Sequence, residues 1–144
     1  FYPNKAYSLT IPTATRPHPP PLPSVEDQNR APISRCGTRL RVTATAEFAG
    51  YDTSHKPTDF TFMKGVTEEL YPEGADYDRA EMWAGLRPMT PNNLPAFGRQ
   101  RLRNLYLNTG HGHTGWTMSH GSARITADLI AGRKPAISMD GLLN

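Results

Sequence analysis

Apolar residues recur along this chain with two different periods, and the changes of period divide it into elements. Residues 5–11 (KAYSLTI) have the β-branched and aromatic content of a strand. Over 38–48, Leu40, Val42, Ala44 and Ala46 alternate with Arg41, Thr43, Thr45 and Glu47, which predicts a strand with one buried and one polar face. Residues 31–35 precede it across Cys36 and Gly37, so the pair reads as a β-hairpin. The period then lengthens: Phe60, Met63, Val66 and Leu70 lie at helical spacing in 59–70, with Thr58 or Asp59 as cap and Pro72 as stop. Strand content returns at 79–86, and the Pro and Asn residues of 89–98 predict a turn-rich loop.

Leu105 and Leu107 alternate with Tyr106 in a short strand over 104–108, after which Gly110, Gly112 and Gly115 interrupt any regular element. A helix is predicted over 116–132, closed by its last glycine and by Arg133, Lys134 and Pro135. At about 100° per residue, Trp116, Ala123, Ala127 and Ile130 share one side of it, with Met118, Ile125 and Leu129 roughly opposite. Two apolar sides predict a helix clamped between two layers. The order strand, glycine turn, helix brings free N–H groups and the positive end of a helix dipole to one place, an arrangement suited to an anionic ligand. An ordinary connection uses the same glycines, and spacing alone leaves both readings open. The elements together predict a mixed α+β fold with several antiparallel strands.

Composition narrows the function classes. At 144 residues the chain is long enough for one domain with a core, but its 14 prolines are about twice the usual share. Five of them fall between Pro17 and Pro23, so 12–24 is expected to be an exposed polyproline-like spacer. The net charge of +3 comes from scattered Lys and Arg, without the basic stripe that nucleic acid binding requires. The single Cys36 excludes an intramolecular disulfide. No apolar run reaches the roughly 20 residues of a transmembrane helix. The chain starts at Phe1 without signal-peptide character, which suggests a segment of something longer. His111, His113 and His120 offer imidazoles to a metal, although no fourth ligand has an obvious spacing. Arg87, just before Pro88 at a strand end, is placed either to grip a carboxylate with both arms of its guanidinium or to serve as a structural arginine.

Residues 83–98 (WAGLRPMTPNNLPAFG) and 104–133 (NLYLNTGHGHTGWTMSHGSARITADLIAGR) closely resemble the C-terminal part of FAD-dependent D-amino-acid dehydrogenases, in the D-amino-acid oxidase and glycine oxidase superfamily. Upstream, YPNKAYSLTIP and RLRVTATAEFAGYD resemble strands of that family's substrate domain. The resemblance implies an antiparallel substrate-domain sheet over 1–98 and, over 99–144, the strand, turn and helix that return to the flavin ring of a Rossmann-like domain. By the same resemblance Gly110, His111, Gly112, His113, Thr114, Gly115 and Trp116 would meet FAD, and Arg87 and Tyr51 the substrate. It assigns neither a catalytic side chain nor a metal to this chain. The implied reaction is oxidative deamination of D-amino acids to 2-oxo acids and ammonia, with electrons passing to a quinone or respiratory chain. The implied location is cytoplasmic, peripheral on the inner membrane. Three features depart from the family pattern. No GxGxxG occurs, so the half that binds the ADP part of FAD is expected to be absent from this chain; 90–95 reads TPNNLP where TPDGLP is usual; and Ala31 stands where glycine-oxidase-like members place a Tyr. Two other readings are a non-catalytic truncated remnant and a small His-dependent metal-binding domain.

Overall fold

The computed structural model of the protein describes residues 1–13, 19 and 21–142, so most of the expected polyproline-like spacer lies outside the described residues. Its strands are β1 (Tyr2–Pro12), β2 (Ser24–Glu26), β3 (Ala31–Cys36), β4 (Arg39–Glu47), β5 (Glu81–Met89), β6 (Ala96–Arg99) and β7 (Tyr106–Thr109). Its α-helices are α1 (Thr61–Leu70) and α2 (Gly115–Ile130), and single turns of 3-10 helix occur at Pro57–Phe60 and Tyr77–Arg79. The strands form one sheet in the order β2-β3-β4-β1-β5 and a second of β6-β7. Pairing is antiparallel for β2 with β3, β3 with β4, β1 with β4 and β6 with β7, the α+β arrangement expected from the sequence. Two compact units result: Lys5–Leu86, and Phe1–Asn4 with Arg87–Asn144. Residues 96–98, the end of the expected loop, belong to a strand paired with β7.

In the Lys5–Leu86 unit, Tyr7, Leu9 and Ile11 of β1 join Leu40 and Val42 of β4 in a core closed by Phe60 and Met63. Burial alternates along β4 as far as Ala44 and then stops. Tyr7 pairs with Ala44 but Ala6 pairs with Ala46, so Thr45 is an extra residue with φ +55°, a β-bulge. Ala46, expected on the buried face, is exposed for this reason. The bulge also brings Glu47 opposite Lys5, whose side chain is only 4% exposed. Glu47 Oε1 accepts a hydrogen bond from Tyr7 Oη at 2.5 Å and pairs with Lys5 Nζ at 3.1 Å, while Lys5 also donates to the Ser54 carbonyl. The Tyr7 bond holds the Glu47 carboxyl below the usual carboxylate range and pushes the Tyr7 phenol up.

Helix α1 packs through Phe60, Met63 and Thr67, not through the expected Val66 and Leu70. Thr67 satisfies its buried hydroxyl on the Met63 carbonyl at 2.6 Å. Tyr77 Oη lies 2.9 Å from the Thr67 carbonyl and 2.8 Å from that of Tyr71, which fixes the helix end and leaves Leu70 exposed. Burial pushes the Tyr77 phenol up to about 12.

A β-branched residue in the left-handed region costs about 1–2 kcal/mol, and glycine removes that cost. Thr45→Gly is therefore expected to stabilise the protein by about 1 kcal/mol in urea denaturation. Thr43→Gly, in regular strand, is expected to cost a similar amount. Destabilisation by both would mean that the Thr45 conformation carries no strain.

Candidate functional site

The site is built from the end of β5 and the glycine turn after β7, both within the Phe1–Asn4 and Arg87–Asn144 unit. Past Arg87, the chain closes a tight loop: Thr90 Oγ1, in a buried residue, donates to the Leu94 carbonyl at 2.7 Å, and Asn93 N–H donates to the Thr90 carbonyl at 3.2 Å. Asn93 has φ +58°, a position that asparagine tolerates without the glycine usual in related sequences. Asn92 Oδ1 accepts from Leu94 N–H at 3.1 Å and completes the loop. Arg87 itself is half-buried, and among the described residues its guanidinium has neither an ion-pair nor a hydrogen-bond partner.

The glycine turn packs against this strand end. Gly110 has φ +80°, and a Cβ there would lie 2.7 Å from Thr90 Cγ2 and 2.9 Å from Phe1 Cε1. Gly112 has φ +54°, and its Cβ would lie 3.1 Å from Met89 Sδ. Gly115 differs: its φ is ordinary and its nearest neighbour, His111 Cβ, would be at a normal 3.5 Å. Only the first two glycines are demanded by conformation. Thr114 N–H and Oγ1 both donate to the His111 carbonyl, at 3.0 and 2.9 Å, and α2 follows without a side-chain cap on its first amides. His111 Nε2 lies 2.8 Å from Ser122 Oγ, and the ring meets Phe97 edge-on at 5.8 Å.

Helix α2 lies on β6 and β7, and over 122–129 its buried or half-buried residues are Ser122, Ile125, Thr126, Asp128 and Leu129. The side bearing Trp116, Ala123, Ala127 and Ile130 is exposed, with Trp116 at 93%, so among the described residues the helix is covered on one side only and not between two layers. Its end is a glycine cap, with Gly132 at φ +67°, Gly132 N–H on the Leu129 carbonyl and Arg133 N–H on that of Asp128. The buried Asp128 carboxylate receives Arg133 Nε at 2.8 Å and Arg124 Nε at 3.3 Å, and the Arg133 bond holds it below the usual carboxylate range.

Arg87 and Gly110 to Trp116 thus share one unit. Tyr51 belongs to the other, 84% exposed on the turn closed by Asp52 N–H and the Ala49 carbonyl. His113 and His120 are exposed, and no three His, Cys, Asp or Glu side chains converge among the described residues. A groove of about 330 Å³ in the Lys5–Leu86 unit, lined by Leu9, Phe60 and Met82 among others, contains none of the candidate site residues. Ser122 was invisible in the sequence, where a mid-helix serine reads as solvent-facing. Only His111, eleven residues earlier, explains its burial.

Removing the space at the turn is expected to be costly. Gly110→Ala is expected to lose about 2–3 kcal/mol from clash and an unfavourable φ, whereas Gly121→Ala, in open space on α2, is expected to gain about 1 kcal/mol. Thermal melts of the two variants check this, and equal midpoints would mean that the turn readily gives way.

Comparison with known proteins matches this geometry to a family. The family model for FAD dependent oxidoreductases (DAO) matches residues 1–129. D-amino acid dehydrogenase 2 of Mesorhizobium japonicum is 49% identical over 142 residues, 99% of this chain and 34% of that protein. D-amino acid dehydrogenase of Paramagnetospirillum magneticum is 51% identical over 140 residues, 97% of this chain and 33% of that protein. The chain therefore spans about a third of the length of the curated relatives it matches. Among solved structures, glycine oxidase from Geobacillus kaustophilus superposes with a TM-score of 0.77 over 99% of this chain and 38% of its own, at 24% identity, a likeness of fold. A glycine turn held against the strand end that carries an unpaired arginine, in a chain matched by this model over most of its length, belongs to the DAO family of FAD-dependent oxidoreductases.

Proposed function

We propose that this chain is the C-terminal, substrate- and flavin-contacting part of a D-amino-acid dehydrogenase. The carrying observation is Arg87, a half-buried and permanently charged group without a protein partner among the described residues. A buried charge is expected to be paired, and the partner suited to a planar fork of N–H donors is a carboxylate. Every amino-acid substrate carries one. The two relatives at 49% and 51% identity bear the name D-amino acid dehydrogenase, which supports this substrate class.

The residues present fit FAD. Gly110 and Gly112 adopt positive φ and pack against Thr90, Phe1 and Met89, which holds the turn close to the strand end, and the first amides of α2 carry no side-chain cap. N–H groups and a helix N-terminus left open in this way suit an electron-rich ring. Gly110 to Trp116 would hold the ring end of the cofactor. Bound FAD supplies an acceptor for the hydride of the substrate α-carbon; the substrate also gives a proton to solvent, and water hydrolyses the imino acid to a 2-oxo acid and ammonia. Arg87 orients the substrate by its carboxylate so that the α-hydrogen faces the acceptor. No helix of the described residues is long and apolar enough to cross a membrane, and the electrons would leave to a quinone or respiratory chain.

In the complete flavoprotein, Arg87→Met is expected to lower kcat/KM by about 10²-fold at near-normal flavin content, since charged hydrogen bonds contribute roughly 1.5–3 kcal/mol each. Arg87→Lys is expected to recover only part, because an ammonium lacks the bidentate geometry. Steady-state kinetics normalised to bound flavin decide the matter, and unchanged kcat and KM in Arg87→Met would remove this residue from the substrate site.

A further inference from the structure

We propose that His111 is the positioning residue of the glycine turn, the side chain that holds the backbone of 112–116, with its Thr114 amide paired inside the turn, in the conformation that meets the flavin. The inference rests on the proposed role of that turn. Gly110 and Gly112, on either side of His111, have φ +80° and +54°, values that glycine adopts but does not select over many others. Something besides their intrinsic preference must choose this conformation. Neighbouring side chains limit the space, and the His111 side chain supplies the directional bond. Its ring meets Phe97, a fully buried residue of β6, edge-on with planes at 88°. Its Nε2 reaches Ser122 Oγ at 2.8 Å, in the second turn of α2. Its carbonyl accepts from Thr114 N–H and Oγ1, where the same helix begins. One residue therefore ties the turn to β6 and to two levels of α2.

The Ser122 bond fixes the ring's orientation. A hydroxyl both donates and accepts, so the bond forms with either imidazole tautomer. Ser122 is only 4% exposed, and a ring that swung away would leave its hydroxyl buried without this partner. The turn is thus held by a polar clamp, and its amides are pre-set before any cofactor arrives.

The test uses the complete protein, first flavin-free and then with added FAD. Ser122→Ala and His111→Phe are each expected to speed hydrogen exchange of the Thr114 amide, the one amide of 112–116 bonded to a carbonyl among the described residues, by about tenfold and to weaken FAD binding by about tenfold. Exchange over Ala96–Arg99 is expected to stay at the wild-type rate. His111→Gln, whose amide reaches toward the same hydroxyl, is expected to recover most of both effects. Unchanged exchange of the Thr114 amide in Ser122→Ala overturns the proposal. An equal rise over Ala96–Arg99 also overturns it, because the bond would then be a general stabiliser. A wild-type protein that binds no FAD overturns the reading of the site instead, and the exchange rates still decide the clamp.

Discussion

The candidate site depends on a space too small for a methyl group. At Gly110 the turn after β7 lies against Thr90 from the loop after β5, the ring of Phe1 from the chain's start and the backbone of Ala96 at the head of β6. Four separated stretches of sequence converge on one atom position. Interiors pack too densely to absorb an added carbon there, so the approach is one conformation and not a range. This closeness makes the strand end bearing Arg87 and the amides of the turn a single construction. A wider turn would leave the same residues in the chain without fixing their relation.

In the Lys5–Leu86 unit the comparable constraint is electrostatic. A lysine ammonium placed in the sheet interior needs acceptors, and removing one partner of such a group costs far more than the intact pair contributes. Lys5 has the Glu47 carboxylate and the Ser54 carbonyl, and Glu47 is available only because the Thr45 bulge advances β4 by one residue. The bulge and the buried charge explain each other. A strained φ at a β-branched residue persists because relaxing it would turn Glu47 away from Lys5 and Tyr7.

Much of the fold was legible in local pattern. The β3–β4 hairpin, α1, β7, the glycine turn and α2 all stand where their periodicity put them, because each has enough residues on one face to show a period. What failed was either too short or set by distant partners. Strands β2 and β6 span three and four residues and lack the alternation that Leu105 and Leu107 gave 104–108, and β6 also follows a proline-rich turn. Nothing in β4 announces the bulge, since its cause is Lys5, 42 positions from Glu47 in the chain. Helix α1 rotates toward Thr67 because Tyr77 claims its last carbonyls. Of the site, the glycines and Arg87 were readable as residue types with known uses. Which glycines are essential was not: Gly112 and Gly115 look alike in sequence and differ only in φ and in what a side chain would meet.

The chemistry of the site follows from what kind of groups it assembles. Arginine is charged throughout the working pH range and backbone amides do not titrate, so the two recognition elements keep their character as pH changes. Neither is a base. Among the described residues the turn's first histidine, His111, is committed to Ser122 and Phe97. On the proposed reading an arrangement of this kind would act by placement: Arg87 would fix the carboxylate at one point and the turn would hold the electron acceptor at another, with the α-hydrogen between them. On that reading the substrate's own amine would have to lose its proton before its α-hydrogen could depart with two electrons. Specificity for the carboxylate and for the flavin would thus be set by non-titrating parts.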